Sequence, residues 1–233
     1  MSYPNYITFD CETTGATNGT FGNPFTDGNR LCVVGYGTSS RHNVLNLLDP
    51  RIPTGPSLQS FGRNFADPSV ISVAFNWKFD AHWLRRYGVT IHASVWDCQL
   101  AHFIIHDQTI PLPSLADVAQ FYGLEDKYID IETEYWDRGI DNDNVPIDVL
   151  EHRVKSDVRI TSQLFELQID LLKREPGKKN LIWLACQDQK ILEEMEWNGL
   201  AYDLELSLAL GDKDLLEIAE IDTKLNQIIN AKF

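Results

Sequence analysis

Over its first third the chain alternates short apolar, β-branched runs with turn-rich segments, the pattern of strands. Residues 5–12, 31–38 ("LCVVGYGT"), 43–48 ("NVLNLL") and 69–75 ("SVISVAF") read as four strands, the first three forming a meander. The Gly-, Asn-, Thr- and Pro-rich stretch 16–30 and the Pro-rich stretch 49–57 read as loops. Helical spacing then takes over. A helix is expected over 80–88 ("DAHWLRRYG"), stopped by Gly88, and another over 96–106 ("WDCQLAHFIIH"). A third, over 112–123, has Ser114 as cap, Asp117 in the capping-box position and Gly123 as stop. The acidic stretch 124–145 lacks periodicity and reads as a loop. Pro146 opens a long helix with apolar positions at Ile147, Leu150, Val154, Val158, Ile160, Leu164, Leu167 and Leu171. "EPGKK" (175–179) breaks it, and helices over about 180–198 and 204–230 follow, parted by Asn198-Gly199. These elements predict an α/β domain over 1–175 and a helical segment over 176–233.

The 233 residues, 43% hydrophobic, suffice for one large domain or one and part of another. No stretch approaches the roughly 20 apolar residues of a membrane span, so no membrane partner is expected. Four scattered cysteines without a C-x-x-C pair read as reduced, consistent with an intracellular, cytoplasmic setting. The net charge of −14 argues against coating nucleic acid by charge alone. It leaves room for a site that grips a few nucleotides, especially where metal ions supply positive charge. The basic clusters Arg85-Arg86, Arg153/Lys155/Arg159, and Lys173-Arg174 with Lys178-Lys179 read individually as solvated helix faces.

One feature contradicts a plain core strand. "ITFDCETTG" (7–15) carries Asp10 and Glu12 two positions apart, and alternation along a strand points both to one face. Two adjacent carboxylates repel unless a cation lies between them, and Mg²⁺ or Mn²⁺ prefers such oxygen ligands. The other reading is a strand end with both acids in water. Two further acids stand apart. Asp80, in "FNWKFDAHWL" (75–84), sits at a strand-to-helix junction, where an N-cap would also place it. Asp157, in "HRVKSDVRITSQLF", lies on the long helix.

"FDCETTG", "FNWKFDAHWL" and "KSDVRIT", in this order, resemble the three motifs of DEDD-type 3′–5′ exonucleases of the DnaQ-like superfamily. "WDCQLAHFI" and "LPSLADVAQFYG" are similar to the linking segments of proofreading domains in family A DNA polymerases, phage enzymes included. "ILEEMEWNGLAYD" (191–203) resembles the segment that joins such a domain to its polymerase domain. The resemblance spans about residues 5–205. It implies an RNase H-like fold, a mixed five-stranded sheet flanked by helices with a C-terminal helical extension. It also implies metal-dependent 3′–5′ hydrolysis at single-stranded or frayed DNA 3′ ends, with a polymerase domain in cis. Asp10, Glu12, Asp80 and Asp157 become ligands of two divalent ions, Mg²⁺ or Mn²⁺, that clamp the scissile phosphate. Thr13, Asn76 and Lys78 become candidates for substrate contact. A free-standing RNA-trimming exonuclease, or an inactive DNA-binding module, stays open as an alternative.

The family orients its attacking water with a Tyr four positions before the last Asp or a His five before it. Here these positions are Arg153 and His152. The spacing makes His152 the candidate general base. Helix geometry cuts the other way: residues four apart lie about 40° apart, residues five apart about 140°. An unbroken helix from Ile147 would turn Arg153 to the metals, as a phosphate contact, and His152 away. Asp126 of "YGLED" (122–126) also has the Tyr-x-x-x-Asp spacing but follows Asp80 too soon. Phe21 and Phe25, in the loop after the first motif, are candidates for stacking on a terminal base or for plugging the loop onto the core. His102 and His106 have zinc-ligand spacing without a third ligand and read as ordinary packing or solvent-facing residues.

Overall fold

The computed structural model describes residues 3–17, 19–109, 111–124 and 131–232. Residues 125–130 of the acidic stretch, Asp126 among them, lie outside the described residues. The chain forms two compact units, residues 1–197 and 198–233. The second consists of a helix, α8 (Leu204–Lys232).

The first unit is built on a five-stranded mixed sheet: β1 (Tyr6–Thr13), β2 (Leu31–Gly37), β3 (His42–Asn46), β4 (Ile71–Ala74) and β5 (Ser94–Asp97). The spatial order is β3-β2-β1-β4-β5. The expected meander β1-β2-β3 is antiparallel, whereas β4 and β5 add in parallel. Helices α1 (Thr54–Gly62), α2 (Trp77–Arg86), α3 (Cys98–Ile105), α4 (Leu115–Tyr122), α5 (Ile131–Glu134), α6 (Ile147–Leu171) and α7 (Pro176–Asn198) complete it. This is the RNase H-like exonuclease fold with a C-terminal helical extension.

Four local expectations change. The stretch 96–106 is not one helix: "SVWD" is strand β5, and the helix begins at Cys98. Asp97 ends the strand and caps α3, accepting the N–H groups of Gln99 and Leu100. α1 begins within the Pro-rich segment and runs on to Gly62. Its Pro56 falls in the first turn, where backbone N–H groups have no intrahelical partner and proline costs little. α2 starts three residues before Asp80, because Asn76 takes a left-handed conformation (φ 64°) and turns the chain directly into the helix. Finally, α7 belongs with the sheet and not with the segment beyond it. Ile182 and Cys186 are buried, and Gln187 exchanges hydrogen bonds with the Val95 backbone (3.3 and 3.0 Å). The capping box of α4 is present in full, Ser114 and Asp117 bonding each other's backbone N–H.

β1 and α6 form the spine of the unit. The even positions of β1 face α6 in sequence: Tyr6 packs on Phe165 (4.7 Å between ring centroids), and the Thr8 hydroxyl accepts from Ser162 (2.8 Å). Two strand residues advance about 6.6 Å and four helix residues about 6 Å, so the two periods stay matched along the contact. The odd positions face away, Phe9 packing edge-on against Phe65 (5.1 Å). Gly35, opposite Asp10 on β2, permits the close approach of α6: a Cβ there would lie 2.7 Å from a Val154 methyl.

Candidate active site

Continuing that match one step further along β1 brings Asp10 and Glu12 to Asp157 and Arg153. Ligand atoms of Asp10, Glu12 and Asp157 all lie within 4.8 Å of one another, Glu12 and Asp157 buried and Asp10 partly so. The cluster lies at the carboxyl end of the sheet, the usual place for ligands in α/β folds. A cavity of about 470 Å³ opens over it, lined by these acids, Thr13 and Arg153, and by the aromatic rings of Phe21, Phe75, Phe79 and Trp136. Three carboxylates converging at this spacing suit a hard divalent cation.

Asp80 lies beside this group of three and not within it. It is 2% exposed, and its Oδ1 accepts the Cys11 N–H at 2.9 Å, outside the group of converging acids. β4 pairs with β1 only as far as Thr8, so the Cys11 N–H has no strand partner and the carboxyl supplies one. Burial, and the charges of Asp10 and Glu12, push the Asp80 carboxyl well above the usual carboxylate range.

α6 runs unbroken through residues 147–171. His152 is therefore exposed and does not line the cavity, while Arg153 enters it. This unbroken course is the one under which helix geometry turns Arg153, and not His152, toward the acids. Arg153 Nε lies 2.5 Å from Glu12 Oε1 and 3.8 Å from Asp157 Oδ2, and its guanidinium stacks over Trp136 (5.2 Å). Burial opposes its charge, but Glu12 and Asp157 outweigh that and raise its pKa further.

Residues 131–145 supply what the sequence reading missed. Asn142, 2% exposed, donates to Thr13 O (2.8 Å) and Glu12 Oε2 (3.3 Å) and accepts from Trp136 Nε1 (2.9 Å). Asp141 accepts the N–H of Gly15 at 2.8 Å. Both residues lie in the aperiodic "WDRGIDNDNVP", where no spacing distinguishes a partner of β1 from a surface turn.

Of the other candidates, Thr13 and Phe21 line the cavity, and Lys78 and Asn76 do not. Lys78 pairs with Glu196 on α7, and Asn76 serves the backbone turn into α2. Phe21 is 84% exposed and in the left-handed region (φ 51°), an unusual conformation for an aromatic residue. Phe25 is 52% exposed and packs its ring against those of His82 and Trp197 (5.5 Å each). The 16–30 loop is fixed further by Trp83 Nε1 donating to Gly22 O (2.7 Å) and by Arg86 donating to Pro24 O. Arg85 bonds Glu193 (2.8 Å). His102 and His106 share the Tyr122 hydroxyl (3.2 Å each), as packing would have it.

No protein-family profile matches the sequence, and no curated protein is significantly similar to it. Solved structures share the fold. NrnC of Brucella melitensis with bound Mg²⁺ superposes with a TM-score of 0.59 at 17% identity, over 86% of this chain and 90% of that one. The catalytic core of RRP6 from Trypanosoma brucei gives 0.60 at 14% identity, over 80% of this chain and 46% of that one. The POL domain of Pol1 from M. smegmatis, in complex with DNA primer-template and dNTP, gives 0.64 at 14% identity, over 92% of this chain and 32% of that one. Among the described residues no helix is long and apolar enough to cross a membrane.

Proposed function

We propose that this chain is a metal-dependent 3′–5′ exonuclease domain that removes nucleotides from single-stranded or frayed DNA ends, as the proofreading part of a family A-like polymerase. The observation that carries the reading is the convergence of Asp10, Glu12 and Asp157 beneath a cavity rimmed by aromatic rings. Asp10, Glu12 and Asp157 hold divalent metal, Mg²⁺ or Mn²⁺, which supplies the positive charge that a phosphodiester needs to accept a nucleophile. The chain's own groups do the rest. Asn142 fixes Glu12 through one oxygen and Arg153 through the other. Arg153 presents guanidinium donors to the phosphate. Phe21, Phe75 and Phe79 offer apolar faces to the terminal bases.

A polymerase partner in cis is supported by the 191–203 segment and by the likeness to the DNA-bound Pol1. The second reading is a free-standing RNA-trimming enzyme, and the likeness to NrnC, which extends over most of that chain, supports its free-standing part. Incubating the protein with 5′-labelled single-stranded DNA or RNA, in Mg²⁺ or Mn²⁺ against EDTA, tests both. Stepwise shortening of DNA, blocked by a 3′-phosphate, is expected. Shortening of RNA alone would transfer the assignment to the second reading. No metal-dependent shortening of either would overturn both.

A further inference from the structure

Arg153 stands where the carboxylate cluster would be expected to meet a cation. Its Nε touches Glu12 Oε1 and approaches Asp157 Oδ2, so the guanidinium occupies the Glu12–Asp157 edge of the triangle. The other Glu12 oxygen accepts from Asn142. Trp136 backs the guanidinium from the far side, and Trp136 is itself tied to Asn142. Arg153 is therefore built in: two acids and a ring hold the guanidinium in place, and the Asn142 amide holds Glu12 and Trp136 in turn. The matched periods of β1 and α6 explain its position, since Arg153 is one helical turn from Asp157 as Glu12 is two strand residues from Asp10.

We infer that Arg153 takes the place of one metal ion: the site binds a single divalent cation, and the guanidinium provides the second positive charge. This rests on the exonuclease reading and adds to it the composition of the site. A second divalent ion bridging Glu12 and Asp157 would have to approach a fixed positive charge within a few Å, in a partly desolvated pocket where repulsion is weakly screened. The vacated coordination is not lost to the reaction, because a guanidinium can still donate to non-bridging phosphate oxygens.

Counting bound Mn²⁺ by electron paramagnetic resonance and calorimetry on the full chain decides this without reference to activity. Wild type is expected to bind one ion. Arg153→Gln, which removes the charge but keeps a polar side chain, should bind a second ion, with affinity for it raised about tenfold or more. Arg153→Lys, which keeps the charge, should stay at one. Two ions of comparable affinity in wild type, or one ion in both wild type and a folded Arg153→Gln variant, would overturn the inference while leaving the exonuclease reading intact. If Arg153→Gln fails to fold, the wild-type and Arg153→Lys counts still decide, two ions in either overturning it. No Mn²⁺ binding at all would remove both.

Discussion

Replacing Asn142 by Ala tests the support beneath Glu12. The side chain is buried and makes three hydrogen bonds, to Thr13 O, Glu12 Oε2 and Trp136 Nε1. Each bond contributes about 0.5–1.5 kcal/mol net, and a buried partner left unsatisfied costs about 1–3 kcal/mol. Thr13 O and Glu12 are buried, whereas Trp136 is only partly so and can recruit water. The expected loss is about 2–4 kcal/mol. With a urea dependence of about 1–3 kcal/mol/M, the unfolding midpoint should drop by about 1–2 M, read by circular dichroism. Nuclease rate or metal affinity should fall about 10–100-fold, because a group that orients a ligand is lost. Asn142→Asp sharpens the test. It places a second carboxyl against Glu12 and the Thr13 carbonyl, so at pH 8 it should be less stable than Asn142→Ala. The new carboxyl's folded pKa would be raised above its unfolded value, so its destabilisation should shrink as pH falls toward 5. A change below about 0.5 kcal/mol in Asn142→Ala, or an Asn142→Asp variant as stable as wild type at pH 8, would refute the reasoning.

Gly35→Ala should destabilise by about 1–3 kcal/mol in chemical denaturation, because its Cβ would press on Val154 and push α6, with Arg153 and Asp157, off the sheet. His102 gives a pH signature. Burial, then the neighbouring His106, depress its pKa from 6.5 to about 4. The unfolded chain takes up a proton below 6.5 that the folded chain refuses until about 4, so stability should fall with pH across that window, by at most about 3 kcal/mol. The difference in stability between His102→Gln and wild type should carry this slope, and a pH-independent difference would contradict it. Phe21→Ala should weaken single-stranded DNA binding in Ca²⁺ by about 1–3 kcal/mol at unchanged stability. Phe25→Ala should lower the melting temperature instead, through its lost packing on His82 and Trp197.

What the chain settles locally was legible in its order of residues. The i, i+2 spacing put Asp10 and Glu12 on one face, the Ser114–Asp117 box and Gly123 bounded α4, and the apolar period from Ile147 announced α6. Each depends on neighbours within a few residues, and strand alternation or helical period carries that information directly. Strand β5 was hidden because four residues bearing a helix cap at their end look like the start of the helix itself. The roles of Asp80, Arg153 and Asn142 were decided only in three dimensions. Asp80 answers a gap left where β4 stops pairing, and Arg153 meets Glu12 across 141 positions. Asn142 meets the same acid across 130. His152 and Arg153 differ by one residue in sequence and by about 100° around a helix. Only the unbroken course of α6 over β1 determines which of the two faces the acids.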